Sequence, residues 1–446
     1  MEAFNWQSIL RFLVVAFPLA YALHSARRIS RDDYIFNSAK TGLVTTVAGI
    51  VCGNIGIGTF VAIGLFSQAS PVIGLSLALA YTLGLVICAL AAPFLQRLSR
   101  GHGVYGLVDL IAARHGIRNP LAIWLPFAFV FLLRAAVQLL ALAAILGSLL
   151  EIPPIPAIAI AGLIAGVYTA IGGYRVAVRT DIFQALFILG GIGVLAHANW
   201  QETPDIDAFW SLGPYEWPLL VGVWLFIPLS AVLAVDNWQR VTTAESQATA
   251  RVGFLIGAAI CLLCYLTIVW LGLGGHMSND IKAALENAAP AGLGWLVSAM
   301  LIAVIMSSVD TLVMPLMSSL DRSRLGLGGL RLVVFFVFLL LTILAMTLGP
   351  FLNSVITAFS ALVAFLPAVF VTLFLRGGQP VAIVLSLNLG IVATISWLNI
   401  DLNTAAFAGL VAAFLPIGAS CALRAIKQMA GPDRGTLFVQ RDKARE

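Results

Sequence analysis

A block of hydroxyl and carboxylate side chains interrupts an otherwise apolar stretch near residue 308. Ser307, Ser308, Asp310 and Thr311 lie within WLVSAMLIAVIMSSVDTLVMPLMSS. Oxygen donors of this kind suit a small hard cation rather than a soft metal. A serine in a membrane helix can also simply bond to its own backbone, but an aspartate buried beside two serines indicates a functional site. The sequence therefore predicts a cation site here.

A second polar pair, Arg134 and Gln138, stands four residues apart in FVFLLRAAVQLLALAA, on one helix face. At about 1.5 Å per residue from Leu121, Arg134 lies roughly 20 Å into the apolar stretch, too deep to reach water easily. Three interpretations remain open: Arg134 binds an anionic group of a substrate, pairs permanently with Asp181 or Asp310, or faces a water-filled vestibule. The planar guanidinium matches a carboxylate, which favours the first.

The elements that position these residues must lie in lipid. Of the 446 residues, 61% are hydrophobic and only 10% are charged, which excludes an ordinary soluble domain. The net charge of +5 does not indicate nucleic-acid binding, because the basic residues are scattered in short loops. All five cysteines fall in apolar stretches, so we expect no disulfide framework, and the CxxC spacing of Cys261 and Cys264 most simply gives two buried thiols.

The predicted fold class is an all-α polytopic membrane protein with thirteen transmembrane helices. A bilayer core needs about 20 apolar residues per helix. With that window the candidates are 9–26, 42–66, 71–96, 121–148, 153–172, 182–199, 217–236, 252–274, 292–319, 332–348, 351–375, 380–398 and 404–426. Residues 1–430 then form a single transmembrane domain, and residues 431–446 form a tail.

The distribution of basic residues predicts the orientation. With the N-terminus outside, 22 of the 25 Lys and Arg residues face the cytoplasm, all except Arg11, Arg134 and Lys282. We therefore expect a plasma (inner) membrane protein with an external N-terminus and a cytoplasmic C-terminus.

Two of the predicted spans carry helix breakers in their middles. Gly53, Gly56 and Gly58 surround Asn54 in the second span, whereas the seventh span contains Gly222 and Pro228. These spans are five apart, so each opens a five-helix half once the first helix (9–26) is set aside. The halves are then 42–199 and 217–375, with the last two helices (380–426) outside them. Because five is odd, this pattern predicts a 5+5 inverted repeat of the leucine-transporter type, with substrate and cation sites at the interruptions.

Three stretches resemble the sodium:solute symporter family, which includes bacterial proline transporters and the sodium–glucose transporters. YTAIGGYRVAVRTDIFQALFILGG (168–191) resembles the signature around the fifth core helix of the family. MSSVDTLVMPLMSSLDR (306–322) resembles the eighth core helix, and DNWQRVTTAESQATAR (236–251) resembles the loop after the sixth. The resemblance extends from about residue 30 to residue 430.

The resemblance implies a sodium site and a substrate site. Sodium would be bound by the backbone carbonyls of Cys52, Ile55 and Val304 and by the hydroxyls of Ser307 and Ser308. A second cation, or the inward sodium path, would involve Asp181, Asp310 and Thr311. Asn54 replaces an acid of the proline branch and matches the sugar branch. The residues expected to contact the substrate are Asn54, Thr59, Arg134, Gln138, Trp224, Phe226, Asn353 and Thr357, although packing is the simpler role for the two aromatic residues.

We therefore expect a secondary transporter rather than an enzyme, without a cofactor and with Na⁺ as coupling ion. The substrate would be a small organic anion, such as a monocarboxylate or an amino acid. The alternatives are a neutral polyol or sugar as substrate, a membrane sensor module without net transport, and a channel-like or proton-coupled carrier. The expected partners are the solute, sodium and the lipid bilayer, but no nucleic acid; the sequence does not determine the oligomeric state.

Overall fold

The structure, a computed structural model, describes residues 6–200, 210–278, 281–319, 325–348, 360–375, 378–398, 400 and 404–429. Within these ranges the regular structure is helical, apart from one isolated bridge between Thr41 and Ala244. The predicted all-α class is confirmed. Asn353 and Thr357, two of the predicted substrate residues, lie outside the described residues.

The helices are numbered in chain order over the described residues. They are α1 (Trp6–Ser25), α2 (Arg31–Phe36), α3 (Leu43–Asn54), α4 (Ile57–Ala69), α5 (Pro71–Gly101), α6 (Leu107–His115), α7 (Leu121–Leu150), α8 (Pro154–Ala198), α9 (Trp217–Leu233), α10 (Val235–Thr243), α11 (Gln247–Leu273), α12 (Ile281–Asn287), α13 (Gly294–Met317), α14 (Leu327–Thr347), α15 (Leu366–Phe374), α16 (Pro380–Leu398) and α17 (Ala405–Met429).

Eight helices in the described part of the chain are long and apolar enough to cross a membrane, or up to ten spans if each of two bent helix pairs counts as one. Their bounds agree closely with the predicted spans that begin at residues 71, 121 and 380. The count of thirteen stays a prediction. Two of the predicted spans, 153–172 and 182–199, fall within the single helix α8, whose bounds include the segment expected to be a loop.

The helix α8 contains 45 residues and is interrupted at Gly173, whose backbone angles are φ 61° and ψ −161°. A straight helix of this size would be about 68 Å long, more than twice the thickness of a bilayer core. Gly173 permits the change of direction because φ is positive and because a methyl group there would lie 2.5 Å from the carbonyl oxygen of Tyr34. The hydroxyl of Tyr34 donates to the carbonyl of Ala170 at 2.9 Å, which fixes α2 against the interruption.

The two bent pairs are α3–α4 and α9–α10. The helices α3 and α4 meet at 54° between Asn54 and Ile57, as the glycines around Asn54 predicted. The prediction for the seventh span was wrong in position. Gly222 and Pro228 lie inside α9, and the 49° bend falls at Ala234.

The bend at Ala234 is stabilised by two side chains of the helix that follows it. Asn237 donates to the carbonyl of Ala231 at 3.1 Å, and the indole of Trp238 donates to the carbonyl of Val232 at 2.6 Å. These bonds satisfy acceptors that the end of α9 would otherwise leave unpaired in an apolar environment. A helix interruption without a glycine or proline is therefore possible at this position.

The helix α13 occupies the centre of the protein. Each residue from Val297 to Met317 is buried, and α13 packs against α3, α7 and α8. The helices α16 and α17 pack on one another at the periphery and expose large apolar side chains, as expected for a surface that faces lipid. The candidate cation residues therefore lie on the most enclosed helix.

Candidate functional site

The interruption between α3 and α4 meets Gln138 of α7. The side-chain oxygen of Gln138 accepts a hydrogen bond of 3.1 Å from the backbone N–H of Ile57, the first residue of α4. A methyl group at Gly56 would lie 3.2 Å from Ser308 Oγ and 3.3 Å from Gln138 Nε2. Gln138 and Ser308 therefore both lie beside the backbone of the interruption, at Gly56.

The hydroxyls of Ser307 and Ser308 both face the carbonyl of Cys52 in α3. Their Oγ atoms lie 3.4 Å and 3.5 Å from this carbonyl oxygen, and they bond to the carbonyl of Val304 at 3.1 Å and 2.7 Å. All four residues are buried. The structure thus brings together four of the five residues assigned to sodium, as hard oxygen donors without a full charge.

Ile55, the fifth residue assigned to sodium, lies between the two halves of the broken helix. Its backbone angles of φ −93° and ψ 58° are not helical, while its N–H still bonds to the carbonyl of Val51 at 3.0 Å. A carbonyl at such a position is turned out of the regular helical pattern. This geometry is the one in which an interrupted membrane helix can offer an acceptor to a cation.

Asp310 and Thr311 continue the polar face of α13 by one turn. Thr311 donates to the carbonyls of Ser307 and Ser308 at 2.8 Å and 3.2 Å. Oδ2 of Asp310 lies 2.7 Å from the hydroxyl of Tyr168, and its Oδ1 has no hydrogen-bond partner among the described residues. Tyr168, on α8, is a site residue that the sequence analysis missed, although it opens the stretch 168–191 that carries the family resemblance.

Asp181 lies beside α3, the first half of the broken helix. Its side chain is fully buried, and its backbone carbonyl lies 3.3 Å from Cys52 Sγ. Neither carboxylate oxygen has a hydrogen-bond partner within the described part of the chain. A methyl group at Gly49 would lie 3.3 Å from Asp181 Oδ2. The structure therefore places Asp181 next to α3 near Cys52, with both carboxyl oxygens unpaired.

The stretch DNWQR forms part of the buried helix α10, and its prediction as a loop was wrong. Asp236 and Arg240 form an ion pair of 2.9 Å, and their side chains are only 6% and 4% exposed. Arg240 was counted among the basic residues of a cytoplasmic loop. The missed signal is an aspartate four residues before an arginine, directly after an apolar span, which is the spacing of an ion pair on one helix face.

Asn54 connects the two interruptions instead of standing alone at the first. Its amide nitrogen lies 2.8 Å from the carbonyl of Ile50 and 3.3 Å from Oδ1 of Asn237, in the first turn of α10. Its own carbonyl accepts a hydrogen bond of 2.8 Å from the hydroxyl of Tyr265 in α11. Asn237 and Tyr265 are therefore further residues of this polar centre.

The other predicted substrate residues do not all lie near the interruption between α3 and α4. Arg134 is partly buried, with its Cζ 5.3 Å from the centre of the Phe131 ring. Thr59 is buried in α4, one turn after the interruption. Trp224 is 43% exposed, and Phe226 packs edge-on against Phe407 of α17 at 5.0 Å.

Neither Asp181 nor Asp310 forms a hydrogen bond or an ion pair with Arg134. The carboxylate of Asp310 is paired with Tyr168, and that of Asp181 has no partner among the described residues. The geometry therefore does not favour a permanent pair of Arg134 with either acid.

A cavity of about 570 Å³ reaches the interruption from one end of the helices. Ile57 and Leu301 lie in its wall with apolar residues of α7, and Ser148 and Lys282 provide its polar groups. Nζ of Lys282 lies 3.3 Å from Ser148 Oγ and 3.1 Å from Glu286 Oε2, so it joins α12 to the end of α7. The walls are otherwise apolar.

In the described part of the chain, an all-helical structure contains two interrupted spans that meet at one polar centre, an arrangement typical of secondary transporters. Its residues 34–203 match the family model described as "Sodium:solute symporter family". The match contains the first of the three stretches, residues 168–191, and confirms the resemblance to this family.

Two curated relatives are similar to most or much of the chain. The spermidine transporter DUR31 of Candida albicans is 23% identical over 417 residues, which cover 85% of this chain and 78% of the relative. The sodium/pantothenate symporter of Haemophilus influenzae is 23% identical over 309 residues, 62% of this chain and 60% of the symporter.

Solved structures show the same fold. A Na⁺-coupled sialic acid symporter in its substrate-bound outward-open state superposes with a TM-score of 0.73 at 16% identity, covering 92% of this chain and 96% of the symporter. The transporter Mhp1, of the nucleobase-cation-symport-1 family, superposes in a closed conformation with a TM-score of 0.55 at 15% identity, covering 87% of this chain and 93% of Mhp1.

Proposed function

We propose that the protein is a sodium-coupled symporter that imports a small organic anion, such as a monocarboxylate or an amino acid. Sodium is proposed as the coupling ion because the hydroxyls of Ser307 and Ser308 lie close to the carbonyl oxygen of Cys52, at the interruption of a membrane helix. In this proposal sodium is bound by the carbonyls of Cys52, Ile55 and Val304 and by the two hydroxyls. Asp181, Asp310 and Thr311 form a second cation site or the inward path.

Sodium would stabilise the outward-open state by joining α3 to α13. The two serine hydroxyls donate to the carbonyl of Val304 in their own helix. A bound cation would turn these oxygens towards itself and add an attraction between the two helices. Entry of each charge is favoured by about 2.3 kcal/mol per 100 mV of membrane potential, in addition to the concentration gradient.

The substrate would lie beside the interruption, where Gln138 fixes the first N–H of α4. Arg134, one turn before Gln138 on the same helix, would bind a carboxylate of the substrate through its planar fork of donors. Asn54 and Thr59 would complete the polar wall, with Asn353 and Thr357 as further candidates. Trp224 and Phe226 would limit the size of the substrate site. The cavity that ends at Ile57 would be the route of entry from outside.

In the full proposed architecture, thirteen helices contain two inverted five-helix halves, 42–199 and 217–375, and the N-terminus is outside. The two bent pairs, α3–α4 and α9–α10, support this arrangement because each lies at the start of one half. Rocking of one helix bundle against the rest would then expose the sites alternately to the two sides.

Two features of the relatives bear on the substrate. Pantothenate and sialic acid both carry a carboxylate, which an arginine at the site would favour, whereas spermidine is a polycation, which it would repel. A neutral polyol or sugar is the second candidate, because Asn54 replaces the acid expected in proline transporters.

Uptake into proteoliposomes tests the proposal. The panel contains short monocarboxylates, amino acids, pantothenate, sialic acid, spermidine and sugars, each with and without a sodium gradient. We expect sodium-stimulated uptake of a carboxylate that is lost on combining Ser307→Ala with Ser308→Ala. Solute uptake that is independent of sodium but depends on pH would instead identify a proton-coupled carrier. Binding of a solute without its transport would identify a sensor.

A further inference from the structure

We propose that Arg240 is a tethered cation that competes with sodium for Asp181 and thereby drives release of the ion towards the cytoplasm. The inference rests on the proposed sodium site. It assigns a role to a buried guanidinium that the sodium and substrate sites do not use.

The guanidinium of Arg240 packs against a face of α3 that consists of glycine. A methyl group at Gly53 would lie 2.7 Å from Arg240 Cζ, and one at Gly49 would lie 3.1 Å from its Nε. The distance at Gly53 is too short for a real side-chain carbon, and the distance at Gly49 is shorter than most such contacts. The helix α3 therefore admits this guanidinium because Gly53 lacks a side chain, and Gly49 leaves additional room beside it.

The hydrogen bonds of this cluster are incomplete. Nη1 of Arg240 donates to Asp236, but its Nε and Nη2 have no hydrogen-bond partner in the described part of the chain. Both carboxylate oxygens of Asp181 are also unpaired there. Yet Asp181 Oδ2 and Arg240 Nε lie 3.3 Å and 3.1 Å from the same point, the position of a methyl group at Gly49. Unpaired donors and unpaired acceptors thus both lie beside one glycine.

With both of its carboxylates ionised, the cluster lacks one positive charge. It contains two buried carboxylates, Asp181 and Asp236, and the single guanidinium of Arg240. An unpaired charge inside a protein costs several kcal/mol, so this arrangement favours binding of one more cation. A sodium ion beside Asp181 would balance the charge of the cluster. If Arg240 instead formed an ion pair with Asp181, the carboxylate would be neutralised and sodium would bind less tightly.

The position of the cluster relative to the sodium residues gives the order of these events. Cys52 offers its carbonyl to Ser307 and Ser308, and its thiol donates to the backbone carbonyl of Asp181 at 3.3 Å. Gly53, which contacts Arg240, is the next residue along the chain. A sodium ion that leaves the carbonyl of Cys52 towards Asp181 therefore comes within reach of Arg240.

Binding and release of ²²Na⁺ by the purified protein in nanodiscs test this role without knowledge of the substrate. In Arg240→Gln the competing cation is gone, so we expect tighter sodium binding and slower release. In Asp236→Asn the guanidinium loses its partner and turns to Asp181, so we expect weaker binding and faster release. Each shift should be roughly tenfold, a usual size for coupling between two sites.

Two further variants exclude a merely structural role. In an Asp181→Asn background, Arg240→Gln should have no further effect, because the carboxylate for which both cations compete is absent. Arg240→Lys keeps the charge and should restore most of the wild-type release rate. Arg175→Gln is the matched control, since Arg175 is paired with Asp33 in a different part of the protein, and we expect it to leave ²²Na⁺ binding unchanged.

The outcomes separate this inference from the proposed sodium site. Loss of ²²Na⁺ binding in the Ser307→Ala, Ser308→Ala double variant would establish the site first. Opposite shifts in Arg240→Gln and Asp236→Asn then support the inference, whereas shifts in the same direction overturn it and leave the site intact. If Arg240→Gln does not yield folded protein, Asp236→Asn and Arg240→Lys decide between the same outcomes.

Discussion

The side chain of Asn54 donates a hydrogen bond to Oδ1 of Asn237 at 3.3 Å, and this bond joins the two interrupted spans of the protein. Asn54 is the last residue of α3, and Asn237 lies in the first turn of α10. Asn237 in turn donates to the carbonyl of Ala231 in α9. Movement at one interruption must therefore stretch or break a contact with the other.

We expect Asn54→Ala and Asn237→Ala to impair the same step. Each variant loses the bond between the interruptions, so each should slow sodium-stimulated uptake roughly fivefold to tenfold, the equivalent of one hydrogen bond of about 1 kcal/mol. The loss in the double variant should be smaller than the two single losses combined, because the bond between Asn54 and Asn237 can be lost only once. Initial uptake rates in proteoliposomes measure this. Additive losses would contradict it, and Asn388→Ala, at an exposed position on α16, is the control.

The hydrogen bond between Gln138 and Ile57 predicts different effects for two substitutions of the glutamine. Gln138→Leu leaves the buried N–H of Ile57 without an acceptor, which costs about 1–3 kcal/mol. Gln138→Glu keeps an oxygen at the position that accepts this bond. Thermal unfolding in detergent should therefore show a clearly lower midpoint for leucine and a smaller change for glutamate. Equal losses would show that the bond does not hold the start of α4.

The first interruption could be predicted from the sequence, whereas the second could not be placed correctly. Glycines surround Asn54, and glycine weakens a helix through its own backbone freedom. At Ala234 nothing in the local composition indicates a bend. The bend depends on Asn237 and Trp238, whose side chains reach back to carbonyls of α9. When the last carbonyls of one helix are hydrogen-bonded by side chains of the next helix, the spacing of residues in the sequence does not reveal where the first helix ends.

The candidate site shows the same division. The polar block around Ser307 stands out because hydroxyls and a carboxylate are rare in apolar spans. The approach of Cys52 to these serines is a contact between distant helices, and only the family resemblance suggested it. Arg240 was misplaced because a charged residue after an apolar span is usually in a loop, whereas here two glycines of α3 create a buried space for it.

Arg134 should determine the charge preference of transport. Replacement by Gln removes a cation beside the proposed substrate site, so uptake of the preferred carboxylate should fall by roughly tenfold to a hundredfold, as for loss of a charged hydrogen bond. Binding of ²²Na⁺ should be unchanged, because the sodium residues lie on other helices. Competition assays with the uptake panel measure the preference. A wild-type preference for neutral solutes that persists in Arg134→Gln would contradict the anion proposal.

His115 should make the stability of the protein sensitive to mild acid. It lies at the end of the short helix α6, outside the spans, with Nε2 3.1 Å from Thr372 Oγ and Nδ1 accepting from the N–H of Gln379 at 3.4 Å. Burial, with the nearby charges of Arg114 and Arg424, lowers the pKa of His115 from 6.5 to about 4. The folded protein therefore keeps the imidazole neutral while the unfolded chain takes up a proton.

The sign of this effect follows from the lowered pKa of His115. Its contribution to stability is complete above pH 6.5 and is lost progressively as the pH falls towards about 4. Melting temperatures of the purified protein between these values should fall less steeply in His115→Gln than in the wild type. Parallel curves for the two proteins would mean that the pKa of His115 is not lowered in the folded protein.

Gly53→Ala should damage the protein more than any change of helix propensity can explain. Alanine is the better helix former by about 1 kcal/mol, so an isolated helix would gain stability. At this position, however, the added methyl group would lie 2.7 Å from Cζ of the buried guanidinium of Arg240. Since Arg240 is also held by Asp236, it cannot move away without separating a buried ion pair. We expect a lower unfolding temperature and loss of sodium-stimulated uptake.

Gly193→Ala is the matched control, because a methyl group there meets no atom within 4 Å. The packing of Arg240 on α3 would be refuted by equal behaviour of the two variants.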